Sequence, residues 1–265
     1  MAFFVIAVPD PWAFSFVEIR TAILIDGSFF IKRVQHFHKK YFAANPDLTP
    51  QNLISILNAI KAYHLQKNLS KGKPNCFLYR CFYYDAAPLS IKAHYPITVE
   101  CEHHPRLIDF SKLSESICRN AFFALLKKQR KTALRLGHVK YYKQWNLKPK
   151  ALSDLIDGSL KFQELKPEDF YYESQQKGVD IKLGVDIATL AYDKLVDQII
   201  LIAGDSDFVP AAKLARTKGI DFILNPLHNN IDPSLDEHID GLNNPPLIDI
   251  IGRTLKQNAS CALKL

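Results

Sequence analysis

The sequence feature that most limits the fold of this chain is an apolar run at residues 198–203, which leads directly to Asp205 and Asp207. The run is rich in β-branched side chains and shows no polar alternation, as is typical of a strand buried on both faces of a parallel sheet. Ligands of open α/β sheets bind at the carboxyl ends of the strands. The two acids are therefore expected at a ligand-binding edge, although Asp205 is also suited to be the N-cap of the next helix.

A second apolar run, residues 21–25, also ends at an acid, Asp26, before a helical pattern. A third acidic segment opens the helix ahead of the central strand and contains Asp180 and Asp186. Asp180 falls in the first turn, where the helix dipole favours a carboxylate. Asp186 is rotated by about 240° from it, so the two cannot share one narrow face and one of them is expected to lie outside the innermost group.

Acids gathered at one edge repel one another by about 1 kcal/mol per close pair even in water, so a positive charge must offset them. The motifs offer carboxylate oxygens without His or Cys, and such donors suit Mg²⁺ or Mn²⁺ better than zinc. An ion of this kind joins carboxylates to substrate phosphates. The sequence therefore predicts metal-assisted phosphodiester hydrolysis, in which the ion activates a water.

Four segments carry a resemblance to a known family: Asp26-Gly27-Ser28, Tyr83-Tyr84-Asp85-Ala86-Ala87-Pro88, Lys177-Gly178-Val179-Asp180 with Asp186, and Gly204-Asp205-Ser206-Asp207-Phe208-Val209-Pro210. Together they resemble the NYN domain, specifically its LabA-like bacterial branch within the PIN-like nucleases, over roughly residues 20–225. The resemblance implies a PIN-like three-layer α/β/α fold with a mainly parallel central sheet and a helical C-terminal tail. It also implies a nuclease that acts on single-stranded or structured RNA.

The same resemblance implies the site residues. Carried over by position, the acids that hold a shared Mg²⁺ or Mn²⁺ and carry the catalysis are Asp26, Asp180, Asp205 and Asp207, with Asp186 in support. Ser28 and Ser206 are assigned to substrate binding. Many relatives have Asn after the Asp-Gly-Ser of the first strand, and this chain has Phe29 there. The hydrogen bond that such an Asn would make is therefore not expected here, whereas the set of acids is unaffected.

The charge balance favours a polyanionic partner, for which RNA is the expectation. The chain has 34 basic and 27 acidic residues, a net charge of +7 and a pI near 9.0, and cationic surfaces gain affinity for nucleic acid by releasing its counterions. The densest basic cluster stands at the end of a helix predicted over residues 110–135, and its members are Lys127, Lys128, Arg130 and Arg135. The cluster suits an RNA backbone, or alternatively it complements the dipole of a helix C terminus.

The chain is expected to hold one nuclease domain with short additions. Residues 1–19 are interpreted as a loose or edge-pairing leader, residues 20–226 as the domain with an insertion at about 85–106, and residues 227–265 as a helical tail. That tail either folds over the sheet or binds a second subunit in a homo-oligomer. The five cysteines lack paired metal spacing, which indicates reduced thiols and a cytoplasmic location,. No run is long enough to span a bilayer, so no membrane association is expected.

Two other functions compete with a ribonuclease. A catalytically silent module that binds RNA or protein would keep the same fold, but RNA binds unfavourably beside acids that no cation offsets. A phosphatase of the haloacid dehalogenase type is loosely suggested by residues 204–207. That fold needs a second Asp two places after its nucleophile, where this chain has Ser28. The metal-dependent ribonuclease is therefore the main hypothesis, and the silent module is its alternative.

Overall fold

The computed structural model describes residues 18–44, 47–66, 76–98 and 103–256. The strands are β1 Ile19–Asp26, β2 Cys76–Ala86, β3 Lys92–His94, β4 Leu107–Asp109, β5 Thr132–Leu147, β6 Phe170–Lys177, β7 Gln198–Ile202, β8 Asp221–Asn225 and β9 Gly241–Leu242. The α-helices are α1 Gly27–Tyr41, α2 Pro50–Gln66, α3 Ser114–Lys127, α4 Pro149–Ile156, α5 Val179–Tyr192, α6 Val209–Thr217, α7 Pro233–Asp236 and α8 Leu247–Leu255. The two apolar runs that opened the sequence analysis are thus confirmed as strands β1 and β7.

The main sheet has seven strands in the order β6-β5-β2-β1-β7-β8-β9. β1 lies at its centre and pairs in parallel with β2 on one side and β7 on the other. The pairs β2–β5, β7–β8 and β8–β9 are also parallel, whereas β6 runs antiparallel to β5. The prediction of a mainly parallel sheet is therefore confirmed, and the carboxyl ends of β1, β2 and β7 meet at one edge.

Successive side chains of the central strands contribute to two separate cores. Leu24 and Leu201 pack on one face, where residues of α5, α6 and α7 cover the sheet. Ile23 and Ile200 pack on the other face, beneath α1, α2, α3 and α8. All five residues of β7 are buried, which explains why its sequence shows no polar alternation,. This arrangement confirms the three-layer α/β/α fold of PIN-like type.

The helix predicted over residues 110–135 is wrong in its extent. A short 3₁₀ turn at Phe110–Lys112 comes first, α3 ends at Lys127, and β5 begins at Thr132. Lys131 has a positive φ of 56°, which turns the chain out of its helical path. The next residues form a ladder with β2, in which Thr132 lies opposite Cys81. Pairing with a buried strand therefore outweighs the helical preference of this basic segment.

The tail beyond residue 226 contains α7 and α8 and also the two-residue strand β9, which extends the sheet beside β8. α8 folds onto the domain, because its Leu247 and Ile251 are fully buried in the same core as α1 and α2. The three predicted domain limits stay predictions, and residues 1–17 of the predicted leader lie outside the described residues. Among the described helices, none is both long and apolar enough to cross a membrane.

Candidate active site

A cleft of about 330 Å³ opens at the carboxyl edge of the sheet, between the ends of β1 and β7. Asp26 and Ser28 line it from one strand end, and Asp205 and Ser206 line it from the other. The remaining lining residues are Phe29, Lys32, Gly204, Asn229 and Asp232. The structure thus brings together four residues that the sequence assigned to one site. It places Lys32, a basic residue just downstream of Asp26, at the same cleft, and it adds Asn229 and Asp232, which sequence reasoning missed.

Asp26 is the last residue of β1 and the N-cap of α1. Its carboxylate accepts a hydrogen bond from the backbone N–H of Phe29 at 3.1 Å. Burial raises the pKa of Asp26 to about 6, against the Phe29 hydrogen bond, which lowers it, while the nearby charges of Asp180 and Asp85 raise it further. A cation bound beside this carboxylate would favour its charged form and oppose that rise.

Asp205 and Asp207 lie on the turn between β7 and α6. The side chain of Asp205 accepts a hydrogen bond from the backbone N–H of Asp207 at 3.1 Å and caps the 3₁₀ turn Ser206–Phe208. Asp205 therefore combines the two positions considered from the sequence, because the residue caps a helical turn and also lines the cleft. Both side chains are exposed to solvent.

The turn that carries Asp205 is seated against α1 through an apolar contact. Gly204 lies so close to the ring of Phe29 that a Cβ atom at this position would overlap it. The ring of Phe29 therefore packs against the end of the β7 segment and also lines the cleft. The glycine is therefore required by close approach of the two segments.

Asp180 belongs electrostatically to the same group of acids. It lies in the first turn of α5, after Gly178, which adopts a left-handed conformation with φ of 75° at the N-cap. Desolvation raises the pKa of Asp180, and the charges of Asp205 and Asp207 raise it further. In the described part of the chain, Asp26, Asp180, Asp205 and Asp207 form no salt bridge within 4.0 Å.

Asp186 differs from these acids because two side chains already satisfy its carboxylate. The hydroxyl of Tyr84 donates to its Oδ2 at 2.8 Å, and Nε of Arg135 donates to the same oxygen at 3.1 Å. Arg135 is not part of a helix end, as the sequence had suggested, but lies within β5. Asp186 is therefore engaged by partners within the protein, whereas the question of which acid, Asp180 or Asp186, lies outside the innermost group stays a prediction.

The other acid at this edge, Asp85, is fully buried at the end of β2. Arg119 of α3 pairs with it, with Nη2 2.9 Å and Nε 3.1 Å from Oδ2. Burial raises the pKa of Asp85, and the charge of Arg119 opposes that rise. Arg119 also donates to Ser28 Oγ at 3.4 Å, and Ser28 donates to Gln176 Oε1 at 3.1 Å. This chain of contacts fixes the hydroxyl of Ser28 at the cleft.

Sequence reasoning missed Arg119, although the pattern contained a signal. Phe122 and Leu126 follow it at spacings of three and seven residues, and both are buried. Residues at this spacing share one face of a helix. A charged residue on such an apolar stripe needs a buried partner of opposite charge, and here that partner is Asp85.

The basic cluster lies at some distance from the cleft. Lys127 ends α3, Lys128 is its C-cap, and Arg130 lies in the turn before β5, with all three exposed. β5 begins opposite Cys81 and reaches the carboxyl edge at Gly137, opposite Ala86. At about 3.3 Å per residue, roughly 15 Å of strand separates the cluster from that edge.

The acids fit a hydrated divalent ion better than a closed ligand cage. Among the described residues, no three His, Cys, Asp or Glu side chains are close enough together to hold a metal ion by themselves. Mg²⁺, however, keeps several of its waters and needs only one or two carboxylates besides its substrate. Asp26 and Asp205 supply two carboxylates to one cleft. The donor set is therefore suited to Mg²⁺ or Mn²⁺ bound through water.

The fold and this edge define an α/β protein of PIN-like type with an acidic cleft at the carboxyl ends of its parallel strands. A family model described as the NYN domain matches residues 83–233, more than half of the chain, so the chain belongs to the NYN domain family of PIN-like nucleases. The match covers Asp180, Asp205 and Asp207 but begins after Asp26, whose place at the site follows from the pairing of β1 with β7. Comparisons with curated proteins and with solved structures gave no match.

Proposed function

We propose that the protein is a divalent-metal-dependent ribonuclease that hydrolyses RNA phosphodiester bonds. One observation carries the proposal: Asp26 and Asp205, from two different strands, line a single cleft and form no ion pair within 4.0 Å among the described residues. Burial raises the pKa of Asp26 and of Asp180, and neighbouring carboxylates raise both further, so a bound cation would stabilise their charged forms,. Membership of the PIN-like nucleases supports the same reaction class. Placement in the LabA-like branch rests on the sequence motifs alone and stays a prediction.

In this proposal Asp26, Asp180, Asp205 and Asp207 hold Mg²⁺ or Mn²⁺. When bound, such an ion supplies an activated water and offsets negative charge on the attacked phosphate. Asp186 supports the set from behind, through Tyr84 and Arg135. Ser28 and Ser206 line the cleft and offer hydroxyl donors to phosphate oxygens, and the contacts of Ser28 with Arg119 and Gln176 keep its oxygen in place.

RNA is proposed as the substrate because of charge. The net charge of +7 includes the acids of the cleft, so the rest of the surface is more positive than the total. Lys127, Lys128, Arg130 and Arg135 are proposed to contact the RNA backbone, with the first three at a distance from the cleft. The alternative is a silent module that binds RNA or protein. It does not explain the acids of the cleft, because they repel a polyanion when no cation is present.

Cleavage of end-labelled RNA by the purified protein tests the proposal. We expect products with Mg²⁺ or Mn²⁺ and none after chelation, and Asp205→Asn should remove cleavage while leaving the circular dichroism spectrum unchanged. The double variant Asp26→Asn with Asp205→Asn is the stricter form. Turnover that survives chelation or the double substitution contradicts the mechanism. Metal-dependent binding of RNA without any products favours the silent module.

The basic cluster is tested by the salt dependence of RNA binding. Replacement of Lys127, Lys128 and Arg130 by Gln removes three cations that we assign to phosphate contacts. For single-stranded RNA each lost contact lowers the slope of log K against log salt by about 0.7. The triple variant should therefore bind more weakly, with a slope smaller by about 2. An unchanged slope removes these residues from the interface.

A further inference from the structure

β5 is much longer than the parallel sheet requires. It pairs with β2 only as far as Gly137, opposite Ala86, the last residue of β2. Residues 138–147 continue beyond that point and pair antiparallel with β6. We name residues 138–147 together with β6 the β5–β6 arm. A register shift between Tyr141 and Trp145 shortens this part of β5, so the length of the arm is that of β6, about 23 Å past the carboxyl edge at about 3.3 Å per residue,.

The base of the β5–β6 arm adjoins the candidate active site. β5 leaves the sheet at the edge where Asp26 and Asp85 end their strands. β6 returns to that edge at Lys177, opposite His138, and α5 with Asp180 follows at once. The side chain of Gln176, next to the last residue of β6, accepts a hydrogen bond from Ser28 of the cleft at 3.1 Å. A strand of nucleic acid in the cleft would therefore pass beside the arm.

A cluster of aromatic side chains holds the β5–β6 arm in shape. Trp145 of β5 stacks on Tyr95 with ring centroids 4.9 Å apart and meets Tyr172 of β6 edge-on at 5.1 Å. Phe110 contacts Tyr172 at 5.4 Å. Since Tyr95 and Phe110 flank the hairpin of β3 and β4, that hairpin supports the arm. The arm is thus a fixed platform, for which little ordering is needed when a ligand binds.

Two tyrosines on one face of the β5–β6 arm present their rings to solvent. Tyr142 and Tyr171 are 42% and 44% exposed, whereas Tyr141 packs on the other face against Tyr172, with ring centroids 6.4 Å apart,. The hydroxyl of Tyr142 donates to Gln175 at 3.2 Å, which fixes its ring, and Nζ of Lys140 lies 5.1 Å from the centre of that ring. Exposed rings interleaved with lysines are the recurrent means by which proteins bind single-stranded nucleic acid, through base stacking and phosphate contacts.

The charge of this part of the chain is entirely of one sign. Residues 116–153 contain no Asp or Glu and ten basic residues: Arg119, Lys127, Lys128, Arg130, Lys131, Arg135, Lys140, Lys143, Lys148 and Lys150. On β6 the acidic Glu173 is bound by the amide of Asn146 at 2.8 Å. Residues 154–173, which lead from α4 into β6, hold six acids and two lysines, so the potential that favours a polyanion belongs to the β5 strand of the arm, where Lys140 and Lys143 lie,.

We infer that the β5–β6 arm binds single-stranded RNA, with bases stacked on Tyr142 and Tyr171 and phosphates near Lys140 and Lys143, and leads the strand into the cleft. The inference rests on the proposed ribonuclease function and specifies its substrate. In a duplex the bases stack on one another, so their faces are not available to protein rings. The protein should therefore act on unpaired RNA and discriminate against duplexes.

Binding is tested in the Asp205→Asn background, so that cleavage does not interfere. The probe is an unstructured RNA of about 20 nucleotides, with its perfect duplex as the comparison. We expect the single strand to bind at least tenfold more tightly than the duplex at equal salt. Tyr142→Ala and Tyr171→Ala should each weaken single-strand binding by about tenfold, in the range found for loss of one base stack. Tyr142→Phe keeps the ring and should restore most of the affinity.

The matched control is Tyr192→Ala. Tyr192 is 60% exposed and has Nζ of Lys218 4.2 Å from the centre of its ring, but it ends α5, far along the helix from Asp180. Its loss should leave binding unchanged. Equal binding of duplex and single strand overturns the inference, and so does an equal effect of Tyr142→Ala and Tyr142→Phe or of Tyr192→Ala.

A cleavage assay separates this inference from the proposed function. The ratio of kcat/KM for the long RNA to that for a trinucleotide, which is too short to cover the arm and the cleft together, should fall about tenfold in Tyr142→Ala. An unchanged ratio, with both substrates cleaved, overturns the role of the arm and leaves the ribonuclease intact. Absence of cleavage of either substrate by the unmodified protein, while the arm variants still lose RNA affinity, contradicts the ribonuclease and leaves the arm as a binding surface.

Discussion

Two groups of carboxylates share the carboxyl edge of one sheet and differ in what neutralises them. Asp85 is paired with Arg119, and Asp186 with Arg135 and the Tyr84 hydroxyl. Asp26 and Asp205 face the open cleft without such partners in the described structure. A carboxylate at a strand end is thus not by itself a candidate metal ligand. What distinguishes the candidate ligands is that, among the described residues, neither forms an ion pair within 4.0 Å.

The largest expected difference between the two groups is in catalysis. Loss of one carboxylate that holds the ion removes several kcal/mol of transition-state stabilisation, so Asp205→Asn should lower kcat by about 1000-fold or more. Asp186→Asn keeps a hydrogen-bond acceptor for Tyr84 and should lower kcat by about tenfold. Single-turnover cleavage of RNA at saturating Mn²⁺ measures both. Equal losses in the two variants would remove the distinction on which the comparison rests.

The second difference concerns stability, and here the buried pair dominates. Arg119→Ala leaves the fully buried Asp85 without its cation and should lower the free energy of unfolding by about 3–5 kcal/mol, as found when one partner of a buried ion pair is removed,. The double variant Arg119→Met with Asp85→Asn removes both charges and should recover much of that loss. Urea unfolding measures both variants. A double variant no more stable than Arg119→Ala contradicts this account.

For Asp26, an acid of the cleft, removal of the charge is expected to raise the free energy of unfolding rather than lower it. The pKa of Asp26 is raised from 3.8 to about 6 in the folded protein. The folded state therefore binds more protons than the unfolded chain between these values, and the stability this provides is lost as pH rises through about 6,. Without divalent ions and well above that pH, Asp26→Asn should raise the free energy of unfolding by up to about 3 kcal/mol, since Asn also serves as an N-cap.

Unfolding of Asp26→Asn as a function of pH measures this gain. The free energy of unfolding should decline less between about pH 4 and 6 in the variant than in the unmodified protein. The decline that remains comes from Asp85 and Asp180, whose pKa values are also raised by burial. Added Mn²⁺ should stabilise the unmodified protein more than the variant, because binding to the folded state alone increases stability. A variant that is less stable at every pH shows that the charge of Asp26 is already offset.

The smallest effect is expected at the exposed pair of Asp186. The side chain of Arg135 is 47% exposed, and ion pairs in contact with water contribute about 0.2–1 kcal/mol. Arg135→Ala should therefore cost less than 1 kcal/mol, since Tyr84 still donates to Asp186. Thermal unfolding next to Arg119→Ala is the measurement. If Arg135→Ala lowers stability as much as Arg119→Ala does, the pair of Asp186 and Arg135 behaves as a buried ion pair and this account is contradicted.

The sequence was sufficient to predict the central parts of the fold and the site. Two apolar runs that end in acids predict β1 and β7 and the convergence of Asp26 with Asp205, because parallel strands carry their carboxyl ends to a common edge,. These predictions succeed because each depends on local pattern and on a rule that holds for every parallel sheet. The rotation along α5 predicts that Asp180 and Asp186 cannot share one narrow face, and their separate roles stay a prediction.

Other features depend on partners that are remote in the chain. The apolar stripe of α3 indicates that Arg119 lies on the buried face of the helix, but it does not predict that Asp85 is the carboxylate with which Arg119 pairs. The sequence of residues 128–135 favours a helix, but residues 132–135 form part of β5 because they pair with the edge of β2. The cleft residues Asn229 and Asp232 come from the loop after β8, which carries no motif. Such details follow from which surfaces the tertiary fold brings together.

The contact of Phe29 with Gly204 has a consequence for ion selectivity. The ring of Phe29 lies against Gly204, on the turn that carries Asp205, and the backbone N–H of Phe29 donates to Asp26. The size of that ring thus limits how closely the turn can approach α1. Since Mg²⁺ demands shorter and more regular oxygen distances than larger cations, a change in the volume of this one apolar side chain would alter the preferred metal of the proposed site without altering a proposed ligand.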